Sequence, residues 1–248
     1  MGSLSSLTDA QALLVADAST IISVNATGCA KRVIKALPNR VVVVDIVSGE
    51  LEEGRQKKRQ DADLLKKLVD AGHVEIVRLD AKGEEYFEQL VVGAAQMTLD
   101  DGEAATVAYA VGNSGIALID EKKANRICAQ RFPELRLACT VDIFMHPDVQ
   151  SELGREVLAD TVFNALCHGR MRVFPQHTDW VIELIGAERA RLCTSLPGPV
   201  RGLRQAAGQA AGTELKTTHE PDLIASKETV KQLGLDAIPL SDRLEPRP

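Results

Sequence analysis

The chain has 248 residues, with 29 basic against 35 acidic side chains, a formal charge of -6, and 45% hydrophobic residues. These values exclude a fibrous or wholly disordered chain and are sufficient for one sizeable core with a small appendage. The negative total argues against a globally basic, DNA-coating surface but leaves room for a local basic patch.

Residues 13–16 read as a short strand ending at Asp17, and 18–37 as helical structure with Gly28 in its middle and Pro38-Asn39 at its end. Val41-Val42-Val43-Val44 is continuously apolar, as expected of a strand covered on both faces. Helical structure follows over 46–51, and then over 61–70 with Leu64, Leu65 and Leu68 at helical spacing. A third strand is expected at 74–77 and a helix at 83–95. The helix opening at Thr98-Leu99-Asp100-Asp101-Gly102-Glu103 carries Ala104, Val107, Ala108 and Val111 at i, i+3, i+4 and i+7, with Gly112 and Gly115 as its stop. A buried strand at 116–119, a Lys-rich helix at 121–131 and a last strand at 135–139 complete the alternation. Strand and helix in turn predict an α/β fold with a mostly parallel sheet and helices on both faces.

Beyond residue 147 the chain reads as helices over 152–166 and 180–193, connected through Gly169, Pro175 and His177. From Pro197 the composition turns Gly-rich, polar and finally Pro-rich, which predicts a peripheral or flexible tail with a short helix near 225–233. The expected organisation is a principal α/β domain over 1–145, a helical extension over 146–196 that packs on it or at a dimer interface, and a tail over 197–248. The five cysteines are dispersed, without a CxxC pair, so buried thiols in a reducing compartment are expected. The N-terminal stretch lacks a basic leader, and no apolar run approaches the roughly 18 residues of a membrane helix. A cytoplasmic location and no membrane partner are expected.

Four acids fall where such a fold gathers ligands: Asp17 after the first strand, Glu50 after the second, Glu103 at a helix start and Asp120 after the strand at 116–119. Strand ends at a change of strand order form the crevice of an open α/β sheet. Converging carboxylates repel one another unless Mg²⁺ or Mn²⁺ compensates them, and such a site suits phosphodiester hydrolysis. Structural roles compete at each position: Asp17 as a helix cap, Glu50 as a solvent-facing residue beside Glu52 and Glu53, Asp100-x-x-Glu103 as a capping box, and Asp120 with Glu121 at a helix start.

Val15-Ala16-Asp17-Ala18-Ser19, Val44-Asp45-Ile46-Val47-Ser48-Gly49-Glu50-Leu51, the run from Leu99 to Ala108 and Ala117-Leu118-Ile119-Asp120-Glu121-Lys122-Lys123-Ala124 occur in that order. Together they resemble a PIN-domain nuclease of the VapC-like kind, across residues 13–145. The resemblance implies a three-layer α/β/α sandwich, here with added C-terminal helices, and a metal-dependent endoribonuclease using one or two Mg²⁺ or Mn²⁺ ions. It also implies a homodimer in many members, and in some a toxin neutralised by an antitoxin-like protein. The family's first three metal-binding acids match Asp17, Glu50 and Glu103, the fourth falls in the Asp120-Glu121 pair, and Ser19 matches a small hydroxyl residue that orients a carboxylate or water. The length beyond residue 145 departs from a compact single-domain toxin.

An RNA substrate needs cations beside these acids. The candidates are Arg55 with Lys57, Lys58 and Arg59, Lys122 and Lys123 with Arg126, and Arg170 with Arg172, each also readable as solvated surface. Other readings are a noncatalytic PIN-like interaction module and a metal-dependent phosphatase. Asp142 with His146 lacks neighbouring ligands for zinc, and Cys167-His168 adjacency lacks the orienting group of a nucleophilic pair.

Overall fold

A computed structural model describes residues 6–197. The expected tail over 197–248 and its short helix lie outside the described residues, apart from residue 197 itself.

The elements run β1 (Leu14–Ala16), α1 (Ala18–Ala26), α2 (Ala30–Ala36), β2 (Val41–Val44), α3 (Asp45–Arg55), α4 (Asp61–Asp70), β3 (Glu75–Val77), α5 (Ala81–Val91), α6 (Asp101–Gly112), β4 (Ile116–Leu118), α7 (Lys122–Arg131), β5 (Arg136–Ala138) and α8 (Thr140–Met145). There follow α9 (Pro147–Cys167), a 3-10 turn at Pro175–His177, α10 (Thr178–Ile185) and α11 (Ala187–Leu192). The strands form one fully parallel sheet in the order β3-β2-β1-β4-β5.

The period of two along each strand divides the apolar runs between two cores. Leu14, Ala16, Val41, Val43, Ile116 and Leu118 face one, built with residues of α1 to α4 and α8 to α11. Val15, Val42, Val44, Ala117 and Ile119 face the other, built with α5, α6 and α7. This is why Val41–Val44 has no polar side: both faces are covered, giving an α/β/α sandwich with C-terminal helices.

The helices beyond residue 146 share the first core, where Leu158, Val162, Ala165 and Leu166 of α9 are buried with Val33 of α2 and Val24 of α1. Glycine geometry divides the helical runs more finely than their composition suggests. The run expected over 18–37 is two helices, because Gly28 takes φ +74 between them, and the run over 180–193 breaks at Gly186 with φ +82. An L side chain is disfavoured at such angles, and the backbone turns there instead of propagating the helix. Likewise α9 begins at Pro147, earlier than expected, and is kinked at Gly154, φ 69. Among the described residues no helix is long and apolar enough to cross a membrane.

Candidate active site

In the strand order, β1 has β2 and β3 on one side and β4 and β5 on the other, so the topology reverses between β1 and β4. Ligand crevices open beyond the carboxyl ends of strands at such a point. Asp17 directly follows β1 and Asp120 lies two residues beyond β4, and both carboxyl groups are buried. A cavity of about 240 Å³ opens there, lined by Asp17, Asp100, Glu103, Asp120 and Glu121, with Ser19 and Ser23 of α1 and the segment Gly169, Arg170, Met171, Arg172. Two roomier hollows, of 660 and 480 Å³, lie at the opposite, amino-terminal ends of the strands.

Asp17 both caps α1 and faces the cavity: its Oδ2 accepts from the Ser19 amide at 3.2 Å and the Ser19 hydroxyl at 2.8 Å. Burial pushes its carboxyl pKa up, against the two bonds from Ser19. Asp120 is held by one residue at the start of α8, just past β5, with Oδ1 accepting from the Thr140 amide at 2.8 Å and Oδ2 from the Thr140 hydroxyl at 2.7 Å. Burial nevertheless pushes Asp120 up to about 6, with Asp17 adding to the rise and Thr140 and Arg172 opposing it. Asn125 braces the loop between β4 and α7, donating to the carbonyls of Ile119 and Glu121.

Glu103 in the first turn of α6 is pushed up to about 7, first by burial and then by the charges of Asp17 and Asp100. Asp100 stands at the N-cap of α6 but its side chain makes no capping hydrogen bond and lines the cavity, so of the alternative capping box Asp100-x-x-Glu103 only the half in which the Asp100 backbone bonds Glu103 is present. Glu50 reaches the same helix end from α3, its Oε1 accepting from the Gly102 amide at 2.8 Å. A β-carbon at Gly102 would collide with that carboxylate, so Glu50 can stand this close only because position 102 has no side chain. Burial and then the charges of Asp17, Asp101 and Asp100 raise Glu50, although it does not line the cavity. Glu121 caps α7 and forms an ion pair with Arg172 at the cavity mouth.

The cationic candidates separate clearly. Arg55 is engaged by Glu52 at 2.7 Å and by Asp63, and Lys57 and Lys58 are exposed in the following turn, away from the cavity lining. Lys122 is exposed, Lys123 lies near enough to lower the Glu103 pKa, and Arg126 donates to the Gln96 carbonyl at 3.3 Å. Arg170 and Arg172 line the cavity. Their loop is pressed against α1: a β-carbon at Gly169 would lie 2.8 Å from both the Ala165 carbonyl and the Ser23 Cα.

The acids share a cavity, yet among the described residues the one trio of His, Cys, Asp or Glu whose ligand atoms all lie within 4.8 Å is Cys139, Asp142 and His177. This buried trio at the start of α8 is a candidate for divalent-metal coordination. It is not legible in sequence, where the nearest histidine to Asp142 is His146; that residue instead caps α9, accepting from the Asp148 amide at 3.2 Å. Thr140 likewise escapes sequence reasoning, because only the pairing of β4 with β5 brings it to Asp120.

Similarity to known proteins extends along most of the described residues. A crystal structure of VapBC2 from Rickettsia felis bound to a DNA fragment from their promoter is similar, at 19% identity and a TM-score of 0.36, covering 51% of this chain and 98% of that one. No curated protein matches the sequence. The DUF3368 family model, described as a PIN domain, matches residues 13–187, which spans every strand and all helices through α10. The chain belongs to this PIN-domain family.

Proposed function

We propose that the chain is a metal-dependent endoribonuclease of the VapC-like kind, with Asp17, Glu103 and Asp120 as its central carboxylates. Glu50, Glu121 and Asp100 complete the acidic surround. The observation that carries this reading is the convergence of buried Asp17 and Asp120 at the strand-order reversal, beside a Glu103 raised to about 7. All-oxygen donors that raise one another's pKa fit a hard divalent cation, because a positive ion there would relieve both burial and mutual repulsion. Mg²⁺ or Mn²⁺ held by these residues, as one ion or two, would supply an activated water and charge stabilisation at a phosphoryl oxygen.

The chain's own groups have separate tasks. Ser19 orients Asp17 and Thr140 orients Asp120, each through its amide and its hydroxyl. Arg170 and Arg172 supply positive charge at the cavity mouth, where an RNA phosphate must approach an acidic wall. The segment beyond residue 146 thereby serves access to the site as well as packing. A homodimer and an antitoxin-like partner belong to the same reading.

The test is cleavage of a mixed, end-labelled RNA pool by the full chain with Mn²⁺, Mg²⁺ or chelator, beside folded Asp17→Asn. Metal-dependent cutting that disappears in the variant supports the assignment. Equal behaviour of both proteins in every metal would overturn it and favour an interaction module, while hydrolysis of small phosphomonoesters alone would favour a phosphatase.

A further inference from the structure

We propose that Cys139, Asp142 and His177 form a second cation site, separate from the acid cavity and selective for a borderline-soft ion of the Zn²⁺ class. Cys139 is the N-cap of α8 and Asp142 lies in its first turn, whereas His177 arrives from the 3-10 turn Pro175–His177, so tertiary packing creates the trio. All three are buried, at 2%, 4% and 5% exposure.

Ordinary helix capping accounts for two members but not the third. The Cys139 amide and thiol donate to Asp142 Oδ2 at 2.9 and 3.1 Å, and the Ser6 amide donates to Oδ1 at 3.0 Å. His177 Nε2 stands 3.8 Å from the same Oδ2, beyond hydrogen-bond range, and its Nδ1 is buried with no hydrogen-bond partner among the described residues. Nε2 is thus the nitrogen placed to meet an ion beside Asp142 and Cys139, and the unpartnered Nδ1 marks an imidazole that no protein hydrogen bond locks in place. A cavity of about 290 Å³, lined also by Phe174 and Gln176, opens onto the trio and offers both an entry path and space for a fourth ligand such as water.

Sulfur, nitrogen and one carboxylate oxygen favour Zn²⁺ over Mg²⁺, opposite to the oxygen-only acid cavity. On binding, the Cys139 thiol proton leaves to solvent and its bond to Asp142 is replaced by coordination of both groups to the ion, while Asp142 keeps its bonds from the Cys139 and Ser6 amides. Thr140, which holds Asp120, immediately follows Cys139. An ion at the N-cap would therefore fix the turn that presents one of the acids.

The experiment uses the untagged full chain, stripped with chelator and then titrated with Zn²⁺, Co²⁺ or Mn²⁺ alone against a chromophoric competitor. One Zn²⁺ equivalent beyond any held by the acid cavity is expected, with a Co²⁺ complex showing a thiolate charge-transfer band and an upward shift of the melting temperature. Cys139→Ser, which keeps a capping hydroxyl, should lose the Co²⁺ band, and His177→Ala should weaken Zn²⁺ binding by more than about tenfold. Mn²⁺ binding should persist in both, and Asp17→Asn should retain the Zn²⁺ equivalent, so the result is independent of whether the acid cavity cuts RNA. Absence of a wild-type Zn²⁺ equivalent, or its loss in Asp17→Asn with retention in His177→Ala, would overturn the proposal.

Discussion

Thr140 grips both oxygens of Asp120, its amide at 2.8 Å from Oδ1 and its hydroxyl at 2.7 Å from Oδ2. The hydroxyl also lies 3.3 Å from that of Thr20, whose own hydrogen goes to the Leu118 carbonyl at 3.1 Å. A chain of hydroxyls thus ties α8 to α1 and to the end of β4, and sets the direction in which Asp120 presents itself. Thr140→Val keeps the shape of this fully buried side chain but removes the hydroxyl. We expect a loss of about 1–3 kcal/mol in stability by denaturant titration. Metal-supported cleavage should fall about 10- to 100-fold, as when a partner that orients a ligand is removed. Unchanged cleavage in a folded Thr140→Val protein would mean that Asp120 needs no such orientation.

Glu103 supplies a pH dependence with a definite sign. Its pKa rises from an ordinary 4.5 to about 7 in the folded chain, chiefly through burial and then through Asp17 and Asp100. The folded state therefore holds a proton that the unfolded state releases, and the associated stability, present below 4.5, is lost as pH rises through about 7. The metal-free melting temperature should decline over that window, and Glu103→Gln should flatten the decline. Added Mn²⁺ should stabilise the wild type more at pH 8 than at pH 6, since ion and proton compete for the same oxygens. Identical pH profiles for wild type and Glu103→Gln would refute this account.

Gly102 tests the reach of Glu50. Any β-carbon at this position meets the Glu50 carboxylate, whose Oε1 takes the Gly102 amide hydrogen. Gly102→Ala must push the end of the flexible Glu50 side chain away from the first turn of α6, which costs chiefly its hydrogen bond from the Gly102 amide, about 0.5–1.5 kcal/mol. Because that turn carries Glu103, metal affinity should weaken together with stability. The double variant Gly102→Ala, Glu50→Ala should regain part of the lost stability in the same denaturant titration, because the collision is gone.

Local pattern carries the fold further than it carries the site. Val41–Val44 is legible as a doubly covered strand because alternate valines enter opposite cores, and Asp17 is legible because strand and helix meet at it. The breaks at Gly28 and Gly186 depend on positive φ, which composition marks only as weakness in a helix. Glu50 stands among Glu52 and Glu53, and only the burial of Val47 and Leu51 sets the face of α3 that sends it toward Gly102. Asp100 reads as a cap in sequence, yet its carboxylate makes no capping bond. Thr140 and His177 acquire their neighbours from elements distant in sequence, Asp120 at 20 residues' separation and Cys139 at the N-cap of α8 far upstream of the 3-10 turn, so no local spacing announces them.

The last prediction concerns the loop that brings cations to the acids. A β-carbon at Gly169 would lie 2.8 Å from backbone on two sides, Met171 is buried, and Arg170 holds φ 54, so the loop is fixed where Arg172 meets Glu121. If Arg172 also receives an RNA phosphate, Arg172→Ala should reduce the salt slope of RNA binding by about 0.7, the value for one neutralised phosphate on a single strand. The measurement is made in the Asp17→Asn background with a short RNA, so that cleavage does not deplete the ligand. Gly169→Ala should weaken the same binding without removing any charge, because the loop must move off α1. A salt slope unchanged by Arg172→Ala would leave Arg172 as the closing partner of Glu121 alone, and the phosphate would have to be met by Arg170 or by Lys123 near Glu103.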